Sequence, residues 1–569
     1  MLGIILSLVL FLLIVFPTGS YLFRVASKKK TFADPVFDKL DGGLYKLLKI
    51  NGEDMTWKEY ALSLILLNAC LVFVGYLILR IQSIGLFNPN KIGKMEESLA
   101  FNTIVSFMTN TNLQHYAGES GLSYFSQMFV IIMMMFTSAA TGFAACMAMI
   151  RGLLGKKMGN FYVDFIRVIT RFFLPLSIIL GLVLVGLKVP QNLSANTVLT
   201  TIEGKSQTIA QGPIAALEII KHLGTNGGGF LGANSSTPLE NPSIYTNLIE
   251  MISMMLVPGS CVIIFGKMAE ERIREKKNIK KEGRTLIGKE GLAIFITMSI
   301  IFILSLIFIV KSERSGNKIL EGFGISQLLG NMEGKEVRFG VDQSALFTNV
   351  TTSFTTGTVN NMHDSLTPLG GMVPLLNMML NLVFGGAGVG LMNILVYAIL
   401  AVFICGLMIG RTPEYLDKKI EGKEMKLAAL AIIIHPLLIL GFSALALSLD
   451  SGRSAITNPG FHGLSQVLYE YTSAAANNGS GFEGLSDNTF FWNMTAGIVM
   501  FLGRYLSMII QLGIAGSLLK KKEVNESIGS LKTNNLTFSV ILVVVIYIFA
   551  ALTFLPALAL GPIAEFLSL

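Results

Sequence analysis

The sequence predicts an all-α polytopic membrane protein with ten transmembrane helices. Four repeats of span, pore half-helix, polar filter loop and span surround a pseudo-fourfold axis, behind one extra N-terminal helix. Three observations carry this. Hydrophobic residues make up 52% of 569 and charged residues only 14%, against roughly 25% charged in soluble domains. Ten apolar stretches are each long enough to cross about 30 Å of hydrocarbon at 1.5 Å per residue. Finally, a short apolar segment running into a polar loop recurs four times. A mean hydropathy of +0.63 over this length leaves much of the surface facing lipid.

The spans are expected near residues 3–23, 59–80, 124–150, 165–187, 245–266, 290–310, 373–409, 427–449, 490–518 and 537–560. The first has the length of a signal peptide, but no charge precedes Leu2, and Arg24, Lys28, Lys29 and Lys30 follow it. Such flanks predict an uncleaved anchor with its N-terminus outside. Alternation then places residues 24–57, 151–164, 267–289, 411–426 and 520–535 in the cytoplasm, and these loops hold 28 Lys and Arg against 12 in the outer segments. The bias agrees with the positive-inside rule and places both termini outside. The outer face carries 17 acidic and 12 basic residues, a mildly negative mouth that concentrates cations.

The net charge of +8 resides in those short loops, so it reads as orientation rather than nucleic-acid binding. Cys70, Cys146, Cys261 and Cys405 lie far apart within apolar segments, with neither metal spacing nor a disulfide framework.

Each repeat carries a half-helix too short to cross. Ser98 to Met108 leads into Thr109-Asn110-Thr111-Asn112-Leu113-Gln114, and Pro213 to Leu223 leads into Gly224-Thr225-Asn226-Gly227-Gly228-Gly229. Asp342 to Phe354 leads into Thr355-Thr356-Gly357-Thr358-Val359-Asn360, and Gly463 to Ala476 into Asn477-Asn478-Gly479-Ser480-Gly481. Measured through Leu113, Gly227, Gly357 and Gly479 the spacings are 114, 130 and 122 residues. The expected organisation is an extra helix at 1–23, repeats at 59–150, 165–266, 290–409 and 427–518, and a final helix and tail at 537–569.

Irregular backbone in a bilayer survives only when buried in protein or lining water, because each unpaired N–H or C=O costs several kcal/mol in lipid. Four such loops are therefore expected to meet at a central aqueous axis. Each half-helix points its C-terminus at its loop, where the macrodipole is worth roughly −0.5 of a charge, so the meeting point favours a cation. Glycine at Gly227, Gly228, Gly357 and Gly479 permits conformations in which successive carbonyls face the axis. Thr111, Asn112, Thr225, Asn226, Thr356, Thr358, Asn478 and Ser480 add hard oxygen donors, a set suited to a monovalent metal cation. An isolated Gly-Gly-Gly is usually only a turn; four copies after matching half-helices argue for a filter. The first loop departs from the rest, with Leu113 and Gln114 where the others carry Gly with Gly, Thr or Ser. Gln114 either reaches the filter or caps a neighbouring backbone group.

Arg504 lies in the middle of span nine, where a charge usually faces a cavity or a partner. Facing a cavity beneath the loops, it would oppose free cation flow; the alternative is pairing with helix-end carbonyls or with Glu250. Span seven is too long for one crossing and holds Gly385-Gly386-Ala387-Gly388-Val389-Gly390 midway, which predicts a broken helix able to gate, although such glycines also serve close packing. His435 before Pro436 reads as a hydrogen-bonded core residue, and Trp57 and Trp492 read as interfacial anchors.

Over essentially its whole length the chain resembles the potassium-binding, channel-like A subunits of bacterial Kdp potassium-transporting ATPase complexes. The likeness rests on Thr109-Asn110-Thr111-Asn112, on Gly224 to Phe230 with Ala233-Asn234-Ser235, on Asn360-Asn361-Met362-His363-Asp364 and on Asn477-Asn478-Gly479-Ser480. It implies that extracellular K+ binds in the four loops and moves sideways within the membrane to a P-type ATPase B subunit. Accessory C and F subunits would complete the assembly, Arg504 would be the positive residue beneath the filter, and span seven the broken helix of the third repeat. The chain holds neither Gly-x-x-x-x-Gly-Lys-Ser/Thr nor an Asp-Lys-Thr-Gly phosphorylation loop, so no ATP or organic cofactor is expected on it and catalysis would belong to a partner. A stand-alone potassium channel or cation symporter of the same superfamily is the alternative. An intramembrane enzyme would need paired Asp, His-Glu-x-x-His or an activated Ser within the spans, and none is present.

Overall fold

The computed structural model describes residues 2–85, 87–279, 285–410, 412–524 and 531–569. The span α1 (Leu2–Ala26) is followed by a surface helix α2 (Asp34–Leu47). The first repeat contains the span α3 (Trp57–Ile81), the half-helix α4 (Glu97–Met108) and the span α5 (Tyr124–Leu153). The second contains α6 (Phe161–Gly186), the half-helix α7 (Ile214–Leu223) and α8 (Ile244–Lys276). In the third, α9 (Lys289–Arg314) and the half-helix α10 (Gly340–Ser353) precede two shorter helices, α11 (Pro368–Leu380) and α12 (Val389–Ile409). In the fourth, α13 (Gly422–Ser448), the half-helix α14 (Phe461–Ala476) and α15 (Phe490–Leu519) follow, and α16 (Leu536–Leu558) ends the bundle.

Among the described residues ten helices are long and apolar enough to span. The expected seventh span is two helices, because Asn381 to Gly388 leave the helical path with φ of +46° at Asn381, +61° at Phe384, +42° at Gly385, +50° at Gly386 and +98° at Gly388. Helix starts are set by short polar side chains: Thr56 and Glu59 form a capping box ahead of α3, and Thr489 and Asn535 cap α15 and α16.

Ion pairs tie the five basic loops into one face. Lys29 meets Glu271 at 2.6 Å, Lys156 meets Glu275 at 3.0 Å, Arg272 meets Glu523 at 2.6 Å, Lys276 meets Asp417 at 3.2 Å and Lys521 meets Glu424 at 2.5 Å. Lys280, Lys281, Arg284 and Arg411, which add to the basic bias, lie outside the described residues. On the opposite face His462 joins Asp364 at 3.0 Å and Glu565 near the C-terminus at 2.9 Å.

Helix α2 was not apparent from hydropathy, yet its signal is simple. Asp34, Asp38 and Asp41 share one helical face and all grip the fully buried Arg171, at 3.0, 2.5 and 2.6 Å. Burial pushes the Asp34 carboxyl up, but hydrogen bonds from Thr31 and Arg171 more than reverse this and hold it at about 2. Breaking a buried pair costs about 3–5 kcal/mol; Asp38 is open to solvent, which favours the lower end. Arg171→Met is therefore expected to release α2, seen as lost hydrogen-exchange protection across residues 34–47; unchanged protection would refute the clamp.

Trp492 is a correction to the expected interfacial anchor. It is fully buried and stacks on Tyr471 with ring centroids 5.1 Å apart, so it is a packing residue. Trp57 is partly buried, packed over Gly516. His435 donates from Nε2 to Met378 O at 3.1 Å, the hydrogen-bonded core role expected of it.

Candidate functional site

The four half-helices end alike. Backbone N–H groups of Thr111, Asn226, Thr356 and Asn478 donate five residues back, to Ser106 O at 3.0 Å, Lys221 O at 2.7 Å, Thr351 O at 2.8 Å and Ser473 O at 3.0 Å. The residue before each donor is left-handed, with φ of +63° at Asn110, +53° at Thr225, +47° at Thr355 and +55° at Asn477. This is the Schellman termination of a helix, usually built on glycine. Here asparagine or a β-branched threonine takes the strained position at every copy, and such strain persists only where the surroundings over-determine it.

These bonds also define the register between repeats. Counting two residues past each left-handed position brings Asn112, Gly227, Gly357 and Gly479 into correspondence, with Asn112 at φ +60°, Gly357 at +95° and Gly479 at +105°. The frame through Leu113 is therefore displaced by one residue. Leu113 is buried and its carbonyl accepts from Ser106 Oγ at 2.8 Å, turned back onto its own half-helix. Asparagine stands where the other loops have glycine because it tolerates positive φ.

The loop backbones converge. A methyl group on Gly227 would lie 2.8 Å from Thr111 O and 2.9 Å from both Asn478 O and Gly479 Cα. On Gly357 it would run into Asn478 O and lie 2.9 Å from Gly227 Cα, and on Gly479 it would run into Thr111 O. Thus residues of all four loops share one small volume, with carbonyls of Thr111 and Asn478 directed into it. Gly227 does not take positive φ; its side chain is excluded by crowding. Gly228 is similarly hemmed in, a methyl there falling 2.8 Å from Phe107 Cζ and 3.0 Å from Asn112 O.

Side chains stitch the loops together. Asn110 Nδ2 donates to Thr225 O at 2.7 Å, Asn477 Nδ2 to Thr111 Oγ1 at 2.9 Å, and Asn478 Nδ2 to Thr351 O at 3.0 Å. Ser480 Oγ donates to Asn478 Oδ1 at 2.6 Å. Gln114 is committed to Gly229, donating to its carbonyl at 3.1 Å and accepting from its N–H at 2.9 Å, which is the backbone-capping role. Asn234 Nδ2 donates to Gly227 O at 2.7 Å, while its Oδ1 accepts from Thr358 Oγ1 and Lys221 Nζ, both at 2.8 Å. Lys221 is not among the residues the sequence predicts for the site; its signal is a Lys within an apolar half-helix. The Asn112 amide, Asn226 Oδ1 and Thr356 Oγ1 are buried without a protein partner, which is uncommon for buried polar atoms.

Beneath the third loop lies the break in the third repeat. Gly385 N–H donates to Ser353 O at 3.0 Å and Gly386 N–H to Phe354 O at 2.6 Å, so the glycine run caps the carbonyl end of α10. It closes on itself through Gly390 N–H to Gly385 O at 2.7 Å. Arg504 is buried one helical turn beyond Met500, whose carbonyl accepts from Asn477 at 3.0 Å. Its guanidinium reaches the break, since a methyl on Gly142 would meet Arg504 Nη2 at 2.6 Å and Ala387 O at 2.9 Å. Among the described residues no ion pair is formed by Arg504, and Glu250 faces His222 instead, at 3.5 Å.

Comparison with known proteins agrees with this architecture. Residues 5–567 match the family model described as potassium-transporting ATPase A subunit. The chain is 56% identical over 564 residues to a Clostridium acetobutylicum protein named potassium-transporting ATPase potassium-binding subunit, covering 99% of this chain and 98% of that one. A Geobacillus kaustophilus protein of the same name is 53% identical over 568 residues, with the same coverage. Among solved structures, the potassium transporter TrkH from Vibrio parahaemolyticus aligns with a TM-score of 0.52 over 90% of this chain and 97% of that one, at 16% identity, which speaks to the fold alone. With a family match over nearly the whole length and two close relatives of the same description, the chain belongs to the potassium-transporting ATPase A subunit family.

Proposed function

We propose that the four loops bind a dehydrated potassium ion arriving from outside the cell, and that this chain is the potassium-binding, non-catalytic, channel-like subunit of an ATP-driven uptake pump. The observation that carries the reading is the fourfold recurrence of one helix ending, which aims four C-terminal dipoles and the carbonyls of neighbouring loops at one volume. An anion would be repelled there. The filter comprises Thr111, Asn112, Thr225, Asn226, Gly227, Gly228, Thr356, Gly357, Thr358, Asn478, Gly479 and Ser480, with Leu113 and Gln114 acting as its outer supports. Residues 59–150, 165–266, 290–409 and 427–518 are its four repeats. The basic face lies in the cytoplasm and both termini lie outside, in a bacterial plasma membrane.

Arg504 and the break at Gly385, Gly386, Gly388 and Gly390 block straight passage, so the ion leaves sideways. A cavity of about 50 Å³ beside the break, lined by Asn381, Asn393, Asn477 and Gln511, supplies the next polar station. The P-type ATPase B subunit receives the ion and hydrolyses ATP, with C and F subunits completing the complex. That the two relatives are named potassium-binding subunits supports the choice of ion.

Gly227→Asp tests the filter: it forces a side chain and a charge against Thr111 O and Asn478 O. Potassium uptake by the assembled complex is expected to fall at least about tenfold, a loss of about 1.4 kcal/mol in binding, with expression and melting retained. Unchanged uptake and selectivity would refute the assignment. A stand-alone channel or symporter would instead carry robust potassium flux when this chain alone is placed in liposomes.

A further inference from the structure

We propose that Glu218, His222 and Glu250 form a buried site for one divalent metal ion of the zinc or manganese class, set behind the second loop. Glu218 and His222 lie four residues apart on α7, on one helical face, and Glu250 faces them from α8. All three are fully buried, and one ligating atom from each falls within 4.8 Å of the others.

Two independent features point to a cation. The first is the imidazole. His222 Nδ1 lies 2.8 Å from Glu218 O, a carbonyl that can only accept, so Nδ1 carries the proton. In the neutral ring the Nε2 lone pair is then directed at Glu250 Oε2, 3.5 Å away, and neither Nε2 nor either Glu250 oxygen has a hydrogen-bond partner. That separation exceeds the roughly 2.7–3.2 Å of a shared proton. It matches two ligands on one tetrahedral ion, which at bond lengths of about 2.0–2.2 Å sit about 3.4 Å apart.

The second is the charge. Glu218, Glu240 and Glu250 face a single ammonium, Lys221, which lies 2.8 Å from Glu218 Oε2 and 2.8 Å from Glu240 Oε2. Lys221 also donates to Asn234 and Ser235. Arg338, at the rim, is paired with Glu336 at 2.5 Å. With all three carboxylates ionised, one ammonium would leave two negative charges out of water, and one divalent ion would cancel both. A nitrogen with two carboxylate oxygens suits zinc or manganese better than an alkali ion.

The site would stiffen the filter from behind. Lys221 and Asn234 connect the cluster to Gly227 O, through 2.8 and 2.7 Å hydrogen bonds. The proposal stands apart from the identity of the ion in the loops.

The test is metal analysis by mass spectrometry of the full chain in its assembled complex, produced with added Zn2+ and Mn2+ and passed over a chelating resin. About one equivalent of zinc or manganese per chain is expected, falling about tenfold in His222→Gln and in Glu250→Gln. Co2+-substituted protein should show d–d absorption that His222→Gln alters. Less than about a tenth of an equivalent in the wild type, or full retention in both variants, would overturn the site and assign the two balancing charges to protons. Should a variant fail to fold, the wild-type content and the cobalt spectrum still decide.

Discussion

Gly357→Ala and Gly479→Ala are each expected to abolish high-affinity potassium uptake. Their backbones sit at φ +95° and +105°, and an added methyl runs directly into the carbonyl of a neighbouring loop, Asn478 O in one case and Thr111 O in the other. Positive φ alone costs an L-residue about 1–2 kcal/mol, and relief of the clash must rotate a carbonyl out of the cluster. Together these predict at least about a tenfold weaker apparent affinity, and far more if a carbonyl is lost as a ligand. Gly481→Ala is the matched control. It lies two residues past Gly479, its φ is not positive, and nothing comes within 4 Å of an added methyl. Equal uptake by all three variants, measured with labelled rubidium or potassium in vesicles holding the complex, would show that the loop backbones do not hold the ion.

Arg504→Ala is expected to convert a closed vestibule into a leak. For like unit charges at a separation of order 8 Å and an effective dielectric of about 20, the repulsion is about 2 kcal/mol, or roughly thirtyfold in rate. Passive potassium flux through the purified chain in liposomes should rise by about that factor, while Arg504→Lys, which keeps the charge, should stay closed. Among the described residues no carboxylate pairs with Arg504, so none offsets its charge. If Arg504→Ala stays as tight as the parent, the barrier resides in the glycine break alone, and loosening Gly388, packed against Cys146, becomes the deciding variant.

Membrane spans, the four half-helices and their polar ends follow from the order of residues alone. The bilayer imposes a length on each span, and a short apolar run before Thr-Asn or Asn-Asn can end only in protein or water. The extent of each half-helix agrees closely with its apolar run, as α4 and α14 illustrate. Even the broken seventh span was foreshadowed, since Gly385 to Gly390 cannot continue a helix without a penalty.

Other features needed three dimensions. The pairing of Asn112 with Gly357 and Gly479 rests on backbone dihedrals, and composition alone, which sees asparagine against glycine, misplaces the frame by one residue. Trp492 looks like an interfacial anchor until Tyr471 covers it. Gln114 and Asn234 act across repeats, on Gly229 and Thr358, and bonds between segments more than a hundred residues apart have no local signature. The ionisable residues Glu218, Lys221, Glu240 and Glu250 are plain in the chain, but only packing shows that they are buried together, three carboxyl groups around one ammonium. Local chemistry sets which segments enter the membrane and how each ends, because those choices depend on solvent and nearest neighbours. Which atoms then face one another is decided by the closure of the bundle, because distance in space is independent of distance along the chain.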